Sequence, residues 1–183
     1  TSGYAYGVAV AGGYAYVAAG DEGLVVVDMS DPTNPTRAGG YDTSRSAWGV
    51  VVAGGYAYVA ASSGGLVVVD VSNPANPTYA GGYDDNTSDY AYGVAVAGGY
   101  AYIAYGSGGL VVVNVSDPTN PARAGGYNTY GAAMGVAVSG GYTYVADWSG
   151  GLVVVDVSDP TNPTRAGGYD TSGSARGVAV AGG

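Results

Sequence analysis

The 183-residue sequence contains no cysteine, histidine, lysine, phenylalanine or glutamine, and only one glutamate, Glu22. Without cysteine there is no disulfide framework and no thiolate to hold a metal or attack a substrate, and cysteine usage says nothing about redox compartment. Without histidine and lysine there is no imidazole base, no amine nucleophile and no zinc ligand set. Five arginines (Arg37, Arg45, Arg123, Arg165 and Arg176) stand scattered against fourteen acidic residues, for a net charge of −9. Phosphate binding needs clustered cations, so a nucleic-acid partner is excluded. No apolar run approaches the roughly 18 residues that span a bilayer, so no membrane span is expected. The chain opens on Thr1 with no signal peptide pattern, as expected of a mature product, a trimmed fragment or an engineered sequence.

What the chain has instead is repetition. The tetrad LVVV begins at Leu24, Leu66, Leu110 and Leu152, spacings of 42, 44 and 42 residues. The glycine opening GVAV or GVVV falls at Gly7, Gly49, Gly93, Gly135 and Gly177. The units run 1–42, 43–86, 87–128 and 129–170, followed by a partial unit 171–183 that repeats the opening of the chain. A period of this length is the mark of a repeat architecture.

Each unit reads as four short strands. Val and Tyr favour extended backbone, while Gly-Gly and Asx-Pro pairs mark the turns between. The segments are GVAV, YAYVA, LVVVD and TRAGGY, and none has helical length or period. Along YAYVA, Tyr14, Tyr16 and Ala18 point one way and Ala15 and Val17 the other, so both faces are apolar and each sheet must be covered front and back. The expectation is an all-β fold, a β-propeller of four-stranded 42-residue repeats with four blades and one surplus strand; a stacked β-solenoid would also bury two faces.

The stretch YAYVAAGDEGLVVVDMSDPTNPTRAGGYDTSRSAWGVVV resembles the LVIVD repeat of bacterial and archaeal cell-surface proteins. The namesake pentad stands at Leu24–Asp28 and returns in every unit, with Asn114 replacing the final Asp in the third. The rhythm is also similar to that of NHL-type blades. The resemblance implies a propeller fold and a surface location, and carries over no catalytic residue.

Turns between the first and second strands, and between the third and fourth, barely change from unit to unit. The second-to-third turns (AGDEG, SSGG, YGSGG, DWSGG) and the connections between units (TSRSAW, DNTSDYAY, TYGAAM, TSGSAR) differ every time. In a blade those variable segments share one face. Loops on a rigid scaffold are where recognition usually sits, so Trp48, Tyr92, Tyr105, Met134, Trp148 and Arg176 form a candidate ligand face, with Asp21, Glu22 and Asp147 supplying charge. Residues just before each GVAV, among them Trp48, Tyr92, Met134 and Arg176, are alternatively expected near the axis, plugging a channel.

Asp28, Asp31 and Asn34 invite a calcium reading, but the cage of six to eight oxygens and the EF-hand spacing are missing, and an Asx turn ahead of Pro32 accounts for them. No metal, cofactor or enzymatic activity is expected. Two sequons, at Asn86 and Asn114, and the lysine-free composition point to an extracellular or cell-surface glycoprotein.

The surplus strand Gly177, Val178, Ala179 and Val180 has no sheet of its own within the chain. It is expected to be swapped in a two-chain ring, to belong to a longer propeller, or to be donated to the next subunit of a polymer. The function expected is therefore that of a self-assembling structural subunit of a filament or surface layer, partnered by itself. The alternative is a recognition module binding a surface protein or glycan through its variable face.

Overall fold

The computed structural model describes residues 3–85 and 88–181 and holds sixteen strands in four separate sheets. The first sheet contains β1 (Gly7–Ala11), β2 (Tyr14–Ala18), β3 (Leu24–Asp28) and β4 (Thr36–Tyr41). The second contains β5 (Gly49–Ala53), β6 (Tyr56–Ala60), β7 (Leu66–Asp70) and β8 (Thr78–Tyr83). The third contains β9 (Gly93–Ala97), β10 (Tyr100–Ala104), β11 (Leu110–Asn114) and β12 (Ala122–Tyr127), and the fourth β13 (Gly135–Ser139), β14 (Tyr142–Ala146), β15 (Leu152–Asp156) and β16 (Thr164–Tyr169). Each is an antiparallel meander in chain order, the blade of a propeller; a solenoid would instead run its ladders from one unit to the next.

Local chemistry explains the meander. Gly12 and Gly13 take φ of 57° and 83°, the left-handed backbone that a tight two-residue hairpin demands, and β1 and β2 pair in register from Ala11↔Tyr14 to Gly7↔Ala18. At the β3–β4 turn the Asp31 carboxylate accepts from the Thr33 N–H at 3.0 Å and the Thr33 hydroxyl at 2.7 Å, an Asx turn ending the strand. Every blade carries a register shift between its third and fourth strands, as between Val26 and Val27. Such a bulge bends the outer strand and increases its local twist.

The blades pack face to face with three seams between them. Tyr16, Leu24 and Val26 of the first blade meet Val59, Val69 and Val71 of the second. Tyr58, Leu66 and Val68 of the second meet Ile103, Val113 and Val115 of the third. Tyr102, Leu110 and Val112 of the third meet Val145, Val155 and Val157 of the fourth. Burying one such side chain fully is worth about 1.5–3 kcal/mol, so the seams rather than the individual sheets hold the molecule together.

Glycine contacts of two kinds set the spacing. A Cβ on Gly49 would stand 3.1 Å from the Gly93 Cα, so the inner strands approach as closely as only glycine allows. At the rim, a Cβ on Gly81 would stand 2.5 Å from the Pro118 carbonyl oxygen and one on Gly125 the same distance from that of Pro160; Gly39 is pressed in the same way by Pro74. The outer strands of the first three blades thus each seat the Pro-containing turn of the next blade.

The ring is open. β1 packs on β5, β5 on β9 and β9 on β13, but the fourth sheet does not return to the first. Residues 177–181 form no strand; Arg176 and Gly177 lie against Gly135, in the position the inner strand of a further blade would take. The surplus segment Gly177, Val178, Ala179 and Val180 is therefore placed beside the fourth blade without ladder partners, Val178 half-buried and the rest exposed.

Candidate functional site: the loop face and the two end faces

The variable segments do share one face. Isolated bridges Gly20↔Ala47, Ser62↔Ala91, Gly106↔Ala133 and Trp148↔Ala175 tie each second-to-third turn to the connection that leads into the following blade. The Gly20 and Ala47 backbones bond in both directions, at 3.1 and 2.9 Å, so this face is stitched rather than floppy. Polar side chains add to the stitching: Ser46 Oγ donates to Asp21 and Ser107 Oγ to Asp89.

Tyr105 does not belong to the ligand face. Its relative exposure is 0%, and burial, with Asp85 and Asp84 nearby, pushes its phenol up. The residue directly after each second strand, Ala19, Ala61, Tyr105 and Asp147, is fully buried in all four blades. Its N–H closes the turn, as from Tyr105 to the Gly109 carbonyl at 2.8 Å, and the strand's alternation carries its side chain inward. Asp147 is corrected likewise. It is buried, accepts from Thr129 Oγ1 and from the Gly131 N–H, and its carboxyl is raised by desolvation despite those bonds.

The other expected residues stand at the surface or half-buried. Trp48 stacks on Tyr6 at 4.1 Å and meets Tyr92 edge-on at 5.2 Å, and Tyr90 extends the row at 6.2 Å from Tyr92. Trp48 and Tyr92 each directly precede an inner strand, β5 and β9, so the row runs along the start of those strands. Arg176 lies 4.5 Å over the Trp148 ring, a cation–π contact. Met134 is half-buried, and Glu22 is 3.9 Å from Arg37.

An open cavity of about 620 Å³ occupies this side, its lining including the aromatic Trp48, Tyr90 and Tyr92 and the charged Asp21, Asp42 and Arg45. Arg45 and Tyr90 lie in connections whose only sequence signal is that they vary, and Asp42 closes the recurrent AGGYD segment just before one of them.

The Asp28–Asp31 segment is used up by its own turn. The Ser30 N–H donates to Asp28 at 2.8 Å and holds that carboxyl below the ordinary carboxylate value, as the Thr33 hydroxyl and N–H do for Asp31. Among the described residues no group of three or more acidic side chains gathers to hold a metal. Asn114 is exposed at the end of β11, its side chain accepting from the Ser116 N–H at 2.9 Å; Asn86 lies outside the described residues.

The two ends of the blade stack are the other unusual surfaces. On the first blade, Val8 and Val10 are 63% and 73% exposed, whereas their counterparts on the other inner strands are partly buried. On the fourth, Leu152, Val154 and Tyr144 are only half-buried, although the matching Leu24, Val26 and Tyr16 are enclosed. Gly167 has nothing within 4 Å of its Cβ position, unlike Gly39, Gly81 and Gly125, each of which seats a turn. The turn that would fit it by pattern is Pro32–Thr33 of a first blade.

Four-stranded meanders fanned about an axis, with a stitched loop face and no closure, define an open-ring β-propeller repeat protein. Its sequence makes the family plain: the LVIVD repeat matches residues 2–43, 44–85, 89–129 and 130–171, and the chain belongs to that family. No curated protein matches the sequence. Among solved structures, the computationally designed Ika8 protein superposes with a TM-score of 0.71 at 10% identity, over 96% of this chain and 52% of that one. A functionally unknown protein from Desulfotomaculum acetoxidans superposes with a TM-score of 0.74 at 13% identity, over 93% of this chain and 57% of that one. The likeness is one of fold, and the chain spans little more than half the length of either.

Proposed function

We propose that this chain is a non-catalytic structural module that associates with itself, end face to end face, in an extracellular or cell-surface assembly. The observation that supports it best is the vacant seat at Gly167, next to a half-covered Leu152–Val154 face, opposite a first blade whose Val8 and Val10 stand in solvent. The fourth blade of one copy and the first blade of another would reproduce a seam the molecule already makes three times. Association by two different surfaces is heterologous, so it yields a closed ring or an open filament according to the rotation it imposes. The surface setting is supported by the sequons and the composition alone.

Residues 177–181 carry the same five residues, GVAVA, as β1. They would either move aside for the incoming β1 or replace it in the neighbour's first sheet. The test is sedimentation velocity with negative-stain microscopy on the 183-residue chain. Wild type is expected to form rings or filaments, and Gly167→Val, which touches nothing within one copy, to leave a folded monomer. A wild type monomeric at all concentrations, or assemblies indifferent to Gly167→Val, would sink the reading.

A further inference from the structure

The loop-face cavity is lined by turns and connections of the first two blades and the lead into the third, and nothing about self-association accounts for it. Its lining is of two kinds. One is aromatic, built by Trp48, Tyr90 and Tyr92, and it is fixed before any ligand arrives, because Tyr6 backs the indole at 4.1 Å and Tyr92 abuts it. The rest of the lining is polar, with Asp21, Asp42 and Arg45 among serines. Asp21 is steadied by Ser46 Oγ and Asp42 by the Ser44 N–H at 2.7 Å, so the acceptors are aimed rather than mobile.

We propose that this cavity binds a neutral saccharide, a pyranose C–H face lying on the aromatic wall and its equatorial hydroxyls bonded to Asp21, Asp42 and Arg45. A pyranose has this same division, one apolar flank and an edge of groups that both donate and accept. Carboxylates take hydroxyl protons and the guanidinium gives to hydroxyl oxygens, which is what a polyol edge requires. Other ligand classes fit less well. Two carboxylates against one guanidinium disfavour phosphates, sulfates and nucleic acid, and the polar wall disfavours a wholly apolar guest. The volume of about 620 Å³ suits two or three sugar rings, within the usual size of ligand sites. Rigid aromatic surface costs little conformational entropy on binding, so modest affinity needs no rearrangement.

The experiment is saturation-transfer NMR with cellotetraose, chitotetraose and mannotetraose, alongside quenching of Trp48 emission in a Trp148→Phe background. At least one tetrasaccharide is expected to receive saturation and quench Trp48 at millimolar concentration. Tyr90→Ala and Arg45→Ala, both at exposed positions, are each expected to weaken that binding about tenfold. No saturation transfer to any of the three, or binding unchanged in both variants, overturns the proposal. So does preferential binding of a sulfated tetrasaccharide used as the anionic comparison. Repeating the titration in Gly167→Val separates this outcome from that of self-association, since the cavity is complete within one copy.

Discussion

Gly81 and Gly167 sit in the same local sequence, AGGY, on the same strand of the second and fourth repeats, yet one is clamped and the other is open. A Cβ on Gly81 would meet the Pro118 carbonyl at 2.5 Å, and one on Gly167 would meet nothing. Leu110 and Leu152 repeat the contrast, enclosed in one blade and half-covered in the other. Blades here are alike in what they are and different in what lies beside them. Stability therefore resides in seams, and a seam is a property of two units at once.

The contrast can be broken in measurable ways. Leu110→Ala empties a closed seam and should cost about 2–5 kcal/mol by urea denaturation. Leu152→Ala, measured in the monomeric Gly167→Val background, should cost less than half as much; equal losses would mean that the fourth blade is covered after all. Next in size, Gly81→Val should destabilise by about 1–3 kcal/mol through overpacking. The same change at Gly167 should stay within about 0.5 kcal/mol in thermal melts of the monomer.

A smaller effect concerns Asp147, where burial holds the carboxyl above its ordinary value. The folded state then keeps its proton longer than the unfolded state does, so stability falls as pH rises from the ordinary carboxylate value through the raised one. Asp147→Asn should flatten that segment of the stability profile, and an unchanged slope would show that the carboxyl is not the cause. Smallest is the effect of the turn carboxylates. Asp31 and Asp117 are held below the ordinary value by their Thr hydroxyls and N–H groups, and their contribution is present above that value and lost as pH falls through the lowered one. Asp31→Ala and Asp117→Ala should change the acid limb equally, because these bonds are local and do not sense which blade lies alongside.

Much of this was legible in the residues. Val-rich runs between Gly-Gly and Asx-Pro punctuation specify four-stranded meanders, and apolar residues on both faces of YAYVA require neighbours on both sides. The variable segments do meet on one face. Tyr105 escaped because its turn looks exposed in sequence, whereas the parity of β10 turns the side chain into the seam with the second blade. The cavity is not legible because Arg45 and Tyr90 come from connections that carry no motif and Asp42 from a segment repeated in every unit; only the fold brings them beside Trp48.

The sequence by itself determined the strands, their turns and the period, since these rest on backbone preference and on hydrogen bonds spanning a few residues. Only the tertiary structure decided which copies of an identical motif are buried. The physical reason is that desolvation depends on what stands across the gap: GVAV reads the same at Val8 and at Val94, and only the latter has a blade pressed against it.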